Sequence, residues 1–240
     1  MTRLLLASDF DGTLAAIRED PTSVAIDPEA LRAFARAAAV SGVEIAIISG
    51  RDVDDLRGRA GGLRAWYAGS HGHEIVAPDG ATVRSTEPWR GTPDREWLAR
   101  ATAAGLRLEP KKYGIGLHWR GVEGVEREHP VVREFEAWAE DQGLELIPGR
   151  CVVEASIPGA TKHDVLAHIA GATGASRVIY AGDDLTDFGA LRWAAAHGRA
   201  FFLASAERKE SPGEGVERLS SRAELIGEIE REVEKVRGEG

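Results

Sequence analysis

Short, nearly continuous apolar runs alternate with stretches of helical periodicity at both ends of the chain. Residues 4–7, 43–48, 65–68, 177–181 and 200–203 read as buried strands. Residues 28–40, with Leu31, Phe34 and Ala38 on one face, read as a helix. So do 52–59, 162–170, 184–196 and 223–236, the last of them charged and amphipathic. Strands buried on both faces and alternating with helices predict an α/β fold: a doubly wound parallel sheet with helices on either side.

The middle follows another order. Helix 94–104 is followed by strands 106–109 and 114–119, then helix 126–142 by strands 144–147 and 152–155. Two helix-strand-strand units predict a smaller α+β domain inserted into the first. The expected division is a core of 1–86 and 157–240 around an insert of 87–156. The hinges fall at Thr86-Glu87-Pro88 and Ile157-Pro158-Gly159. Residues 209–215 read as a loop.

Composition narrows the function classes. The 240 residues carry 30 Lys and Arg against 39 Asp and Glu, a formal charge of −9. Without a basic stripe that balance speaks against nucleic acid and against anionic membranes. No apolar run reaches the ~18 residues of a membrane span, and the stretch near Met1 is too short for a signal-peptide core. The one cysteine, Cys151, allows no internal disulfide and reads as a small buried residue, in keeping with a cytoplasmic protein.

Four short segments carry chemistry. In Asp9-Phe10-Asp11-Gly12-Thr13, directly after the first strand, Asp9 and Asp11 point the same way from the carboxyl end of the sheet, where open α/β sheets bind ligands. Turn chemistry at Asp11-Gly12 is the plainer alternative. Asp183, Asp184 and Asp187 follow another strand. Helix capping accounts for one of them, but the whole set beside Asp9 and Asp11 would repel strongly without a cation, and all-oxygen donors suit Mg²⁺. Ser49-Gly50-Arg51 opens a helix and suits phosphate, although a serine cap is the commoner reason for such a run. Thr161 and Asp164 resemble a capping box, which puts Lys162 in a first turn where the helix dipole disfavours a cation unless an anion lies in front. Together they describe phosphoryl transfer: a carboxylate nucleophile, a carboxyl acid/base, and cations that neutralise the phosphate.

The four segments match, in order, the motifs of the haloacid-dehalogenase-like hydrolases, and the resemblance covers the whole chain. It implies that Asp9 is the nucleophile and Asp11 the acid/base. Ser49, Gly50 and Lys162 hold the phosphoryl group. Mg²⁺ sits among Asp9, Asp11 (through its carbonyl) and Asp183, with Asp187 supporting that cluster. Further segments resemble the trehalose-6-phosphate phosphatase family: Gly69-Ser70-His71-Gly72-His73-Glu74-Ile75, Glu109-Pro110-Lys111, Gly116-Leu117-His118-Trp119-Arg120 and Val153-Glu154. They imply a substrate-selecting cap domain with Glu109, Lys111, His118 and Glu154 on the sugar, and His71 contributing from the core. His163 after the lysine and Phe188-Gly189 after the last motif depart from that family's pattern.

The expectation is a monomeric Mg²⁺-dependent sugar-phosphate phosphatase, with trehalose 6-phosphate as substrate. Sucrose phosphate, a glycosylglycerate phosphate, phosphomutase activity and non-catalytic phosphosugar sensing remain alternatives.

Overall fold

The computed structural model describes residues 3–18, 23–149, 151–159, 161–204 and 210–238. Met1, Thr2 and Lys209, which enter the readings above, lie outside them. The chain divides into two compact units, Met1–Ser85 with Ala160–Gly240, and Thr86–Gly159.

The first unit opens with β1 (Leu4–Ser8), α1 (Pro28–Ala38), β2 (Val43–Ile48), α2 (Val53–Arg59), β3 (Trp66–Gly69), β4 (Glu74–Val76) and β5 (Thr82–Ser85). The second holds α3 (Arg95–Ala103), β6 (Arg107–Lys111), β7 (Gly114–His118), α4 (Pro130–Asp141), β8 (Glu145–Gly149) and β9 (Val152–Ser156). The first resumes with α5 (Lys162–Thr173), β10 (Arg177–Gly182), α6 (Phe188–His197), β11 (Gly198–Leu203), β12 (Val216–Leu219) and α7 (Arg222–Gly238).

In the first unit eight strands run in the order β12-β11-β10-β1-β2-β3-β4-β5. They are parallel from β12 to β3 and antiparallel beyond. Alternation within β1 explains the two cores. Leu4 and Leu6 join Ile45, Ile179, Phe34 and Ile229 on one face. Leu5 and Ala7 join Ala46, Tyr180, Val165 and Leu191 on the other. Ser8 aligns with Ile47 of β2 and Ala181 of β10, so three central strands end at one level. Local signals fix the helix starts. Asp27 accepts from Glu29 N at 2.8 Å ahead of Pro28, and Thr161 accepts from Asp164 N at 3.2 Å ahead of Lys162.

In the second unit four antiparallel strands lie in the order β6-β7-β9-β8. Leu117, Val153 and Ala155 on one face of that sheet cluster with Trp97 of α3 and Phe135 of α4. The alternate positions carry Glu109, Gly116 and Glu154, which are register partners.

Some expectations need correction. The helix over 184–196 is a 3-10 turn, Leu185–Asp187, followed by α6, because the Asp187 side chain folds back onto the chain ahead of it. The helix over 126–142 begins at Pro130, where the ring costs no hydrogen bond, with His129 as its cap. Strands β4, β5 and β12 were not foreseen: they are three or four residues long, and β5 is mostly exposed, so no apolar run marks them. Residues 210–215 are irregular up to β12. Cys151 is half-buried with φ +55°, not buried, at the turn between β8 and β9.

Candidate active site

The site is built where β1 and β10 end side by side. Asp9 N donates to Ala181 O at 2.8 Å, which fixes the first residue past β1 to its neighbour strand. Phe10 turns into the core, fully buried. The chain then reverses with Gly12 N donating to Ala15 O at 2.9 Å. Gly12 has φ +89°, and a β-carbon there would lie 2.1 Å from Asp183 Oδ2. Both the turn and the approach of the Asp183 carboxylate therefore require glycine. Thr13 Oγ1 donates to Asp183 Oδ1 at 3.3 Å, joining the two acidic segments.

Lys162, the first residue of α5, is buried and donates from Nζ to Asp9 Oδ1 and to Asp187 Oδ1, each at 2.7 Å. The anion that offsets a cation at this helix start is thus supplied by the chain itself. Burial opposes the Lys162 charge, but Asp187 and Asp9 outweigh it and hold its pKa above the ordinary value. Burial raises the Asp9 pKa, with Lys162 opposing and Asp187 and Asp183 adding to the rise.

Asp187 is saturated. Its Oδ1 also accepts from Tyr180 OH at 2.6 Å, and its Oδ2 accepts Asp183 N at 3.1 Å and Asp184 N at 2.9 Å. Oxygens of Asp9, Asp183 and Asp187 lie within 4.8 Å of one another. Hard carboxylate oxygens packed this closely fit a small divalent cation. The four donors on Asp187 suit it to orienting the Asp183 loop more than to ligating.

The third strand end adds the remaining groups. Ser49, buried after β2, accepts Arg51 N at 3.2 Å, while Ser49 N donates to Ala68 O at 2.9 Å. The 3-10 turn Ser70–Gly72 packs against this segment. His71 N donates to Ser49 O at 3.0 Å, Ser70 N to Arg51 O at 2.7 Å, and Ser70 Oγ to Asp52 Oδ1 at 2.7 Å. Ser70 and His71 hold φ of +48° and +58°, strained for residues with side chains. The strain places the His71 ring over Gly50, where a β-carbon would lie 2.7 Å from Nε2. Among the described residues Asp11 has no hydrogen bond to the Asp9 cluster. Its carboxylate lies in the fork of Arg51, with Nε to Oδ2 and Nη2 to Oδ1 both 2.7 Å.

In the first unit, then, Asp9, Lys162, Asp183 and Asp187 form one network, Asp11 is joined to the Ser49-Gly50-Arg51 segment, and His71 sits against Gly50. The other expected residues belong to the second unit. There Lys111 of β6 pairs with Glu154 of β9, and His118 Nε2 bonds Glu109 Oε2 at 2.5 Å, on the sheet face away from the helices. Hydrogen bonding with His118 lowers the Glu109 pKa; burial opposes this and Lys111 reinforces it.

Two participants were not assigned from the sequence. Tyr180 stands in an apolar strand, where an aromatic reads as core. Arg51 stands in a run already noted, but its partner lies 40 positions away and only the fold reveals it.

Residues 7–211 match the family model for trehalose-phosphatase. The chain is 34% identical over 206 residues to trehalose-phosphate phosphatase of Mycobacterium tuberculosis, covering 79% of this chain and 51% of that protein. It is also 34% identical over 194 residues to that of Mycolicibacterium paratuberculosis, covering 75% and 48%. The chain spans about half the length of the curated relatives it matches. Among solved structures, a trehalose-6-phosphate phosphatase related protein superposes with a TM-score of 0.71 at 20% identity over 98% of this chain and 100% of that one. A haloacid dehalogenase-like hydrolase from Bacteroides thetaiotaomicron gives 0.69 at 15% identity, covering 96% and 99%. At such identities the structures speak for the fold, while the family model and the sequence relatives carry the assignment: this chain belongs to the trehalose-phosphatase family.

Proposed function

We propose that this chain is an Mg²⁺-dependent phosphatase that hydrolyses trehalose 6-phosphate through an aspartyl phosphate on Asp9. The observation that carries the reading is the buried Asp9 carboxylate, 2.7 Å from Lys162 Nζ and clustered with Asp183. A nucleophilic carboxylate needs cations beside it to approach a phosphate dianion.

An Asp9 oxygen attacks phosphorus as the bond from phosphorus to the sugar oxygen breaks. Asp11 gives its proton to that oxygen, so the sugar leaves as an alcohol. Asp11 then takes a proton from water as the water oxygen attacks the aspartyl phosphate, which releases inorganic phosphate and restores Asp9. Lys162, the Ser49 hydroxyl and the Gly50 backbone hold the phosphoryl oxygens. Asp9 and Asp183, with the Asp11 carbonyl, would hold Mg²⁺, the ion that this kind of phosphatase generally uses. The ion would neutralise phosphate charge. Asp187 and Tyr180 keep Lys162 and the Asp183 loop in place.

Residues 87–156 serve as the substrate-selecting cap. A disaccharide offers only hydroxyls, and Glu109, Lys111, His118 and Glu154 place donors and acceptors on one sheet face. His71 contributes from the core. No helix among the described residues is long and apolar enough to cross a membrane. We place the enzyme in the cytoplasm as a monomer acting on a small-molecule sugar phosphate.

The test is phosphate release with Mg²⁺ from trehalose 6-phosphate beside sucrose, glucose and mannosylglycerate phosphates. Preference for trehalose 6-phosphate, lost with EDTA and in Asp9→Asn, is the expected result. Metal-dependent release from another sugar phosphate would overturn the substrate. Isomerisation without phosphate release would replace the hydrolase by a mutase, and tight binding without turnover would replace it by a sensor.

A further inference from the structure

Arg51 is committed to carboxylates on both sides. Nε and Nη2 hold the two oxygens of Asp11, and Nη1 donates to Asp55 Oδ2 at 2.9 Å, one turn into α2. Asp55 is in turn held by Arg59, whose Nε lies 2.8 Å from both of its oxygens. Arg59 Nη1 donates to Val24 O at 2.7 Å. A ladder of alternating charge thus runs from the site to a fixed backbone carbonyl.

The backbone of Arg51 is also tied. Its N–H donates to Ser49 Oγ, and its carbonyl accepts Ser70 N from the strained turn. Its side chain is 15% exposed and its guanidinium lies 5.9 Å from the centre of the Phe10 ring. A guanidinium so restricted presents one fork in one place. The fork matches both oxygens of a carboxylate, which a lysine ammonium cannot do. Asp11 itself is on a turn with its side chain 37% exposed, and both of its oxygens are held by the Arg51 fork.

We propose that Arg51 is the positioning residue for the acid/base Asp11, held to that task by Asp55. The inference rests on the phosphatase reading above. In the first half-reaction Asp11 passes its proton to the sugar oxygen as the bond to phosphorus breaks, and the fork receives the carboxylate so formed. In the second half-reaction the same fork presents that carboxylate to water. Each guanidinium nitrogen donates to Asp11 or Asp55.

A positioning role has a signature that phosphate binding or simple stabilisation lacks. A sugar alkoxide leaves only if it is protonated, whereas p-nitrophenolate leaves without help. The wild type, Arg51→Ala, Arg51→Lys and Asp55→Asn are assayed with Mg²⁺ on trehalose 6-phosphate and on p-nitrophenyl phosphate. Arg51→Ala is expected to lower kcat on the sugar phosphate roughly 10²-fold and on the aryl phosphate less than about tenfold, with general-acid effects setting the scale. Arg51→Lys recovers part of the difference, and Asp55→Asn, whose side chain is 41% exposed, shifts the ratio the same way by less. Equal losses on both substrates, a change in KM alone, or no change overturns the proposal. If Arg51→Ala lacks the wild-type circular dichroism spectrum, the other two variants decide by the same ratio. A wild type that releases phosphate from neither substrate refutes the phosphatase reading, and the inference falls with it.

Discussion

The charged groups expected to carry function are set differently in the two units. In the first, Lys162, Asp9 and Asp187 have side chains 4%, 6% and 0% exposed and are tied to strand ends and loop N–H groups. In the second, Lys111, Glu154 and Glu109 are 18%, 20% and 41% exposed; Lys111 pairs with Glu154 across the intervening strand β7, and Glu109 with His118 of β7. Buried ions are costly to assemble and costlier to break, so they persist only where every partner is in place. That rigidity suits bond-making, in which displacements of about 1 Å matter. Half-exposed pairs exchange partners cheaply, which suits the sugar-selecting role proposed for this sheet face.

The sharpest way to break this comparison is at its buried end. Asp9→Asn should retain the fold and lose activity by on the order of 10⁴-fold or more, as loss of a nucleophile does. Burst and steady-state phosphate release would check this, and substantial turnover would remove Asp9 from its role. Next, Lys162→Met leaves two buried carboxylates without their cation. It should abolish activity and destabilise the first unit by about 3–5 kcal/mol, seen in denaturant unfolding, because the remaining charges stay buried. An unchanged midpoint would mean that the network does not hold the unit together.

At the exposed end, Glu154→Gln should raise KM for the sugar phosphate roughly tenfold to hundredfold and leave p-nitrophenyl phosphate turnover nearly unchanged, the size expected for one hydrogen-bonding group. Parallel losses on both substrates would dissolve the division between the units. The smallest effect is titration of Glu109. Its folded pKa lies below the ordinary 4.5, so its contribution to stability is full above that value. The contribution is lost as pH falls through the folded pKa. The stability gap between wild type and Glu109→Gln should therefore narrow as the pH falls below 4.5. A gap that widened would reverse the sign of the Glu109 pairing.

Much of the first unit is legible in the sequence. β2 runs Val43–Ile48, as its apolar run implied, and the capping residues Asp27 and Thr161 mark the starts of α1 and α5. These features are local: a buried parallel strand must be apolar nearly throughout, and a helix must satisfy its first N–H groups within a turn. The short strands β4, β5 and β12 were not legible. Their pairing comes from neighbours in the sheet, not from their own side chains.

The sequence by itself determined the α/β class, the inserted helix-strand-strand pattern and the chemical types at the site, because periodicity and residue chemistry are written along the chain. Only the tertiary structure decided the pairings. Lys162 meets Asp9 across 153 positions, Asp187 spends its oxygens on Tyr180 and two backbone N–H groups, and Asp11 lies in the Arg51 fork. A side chain's partners depend on which strand ends the sheet brings level, and that order is a property of the whole packed fold.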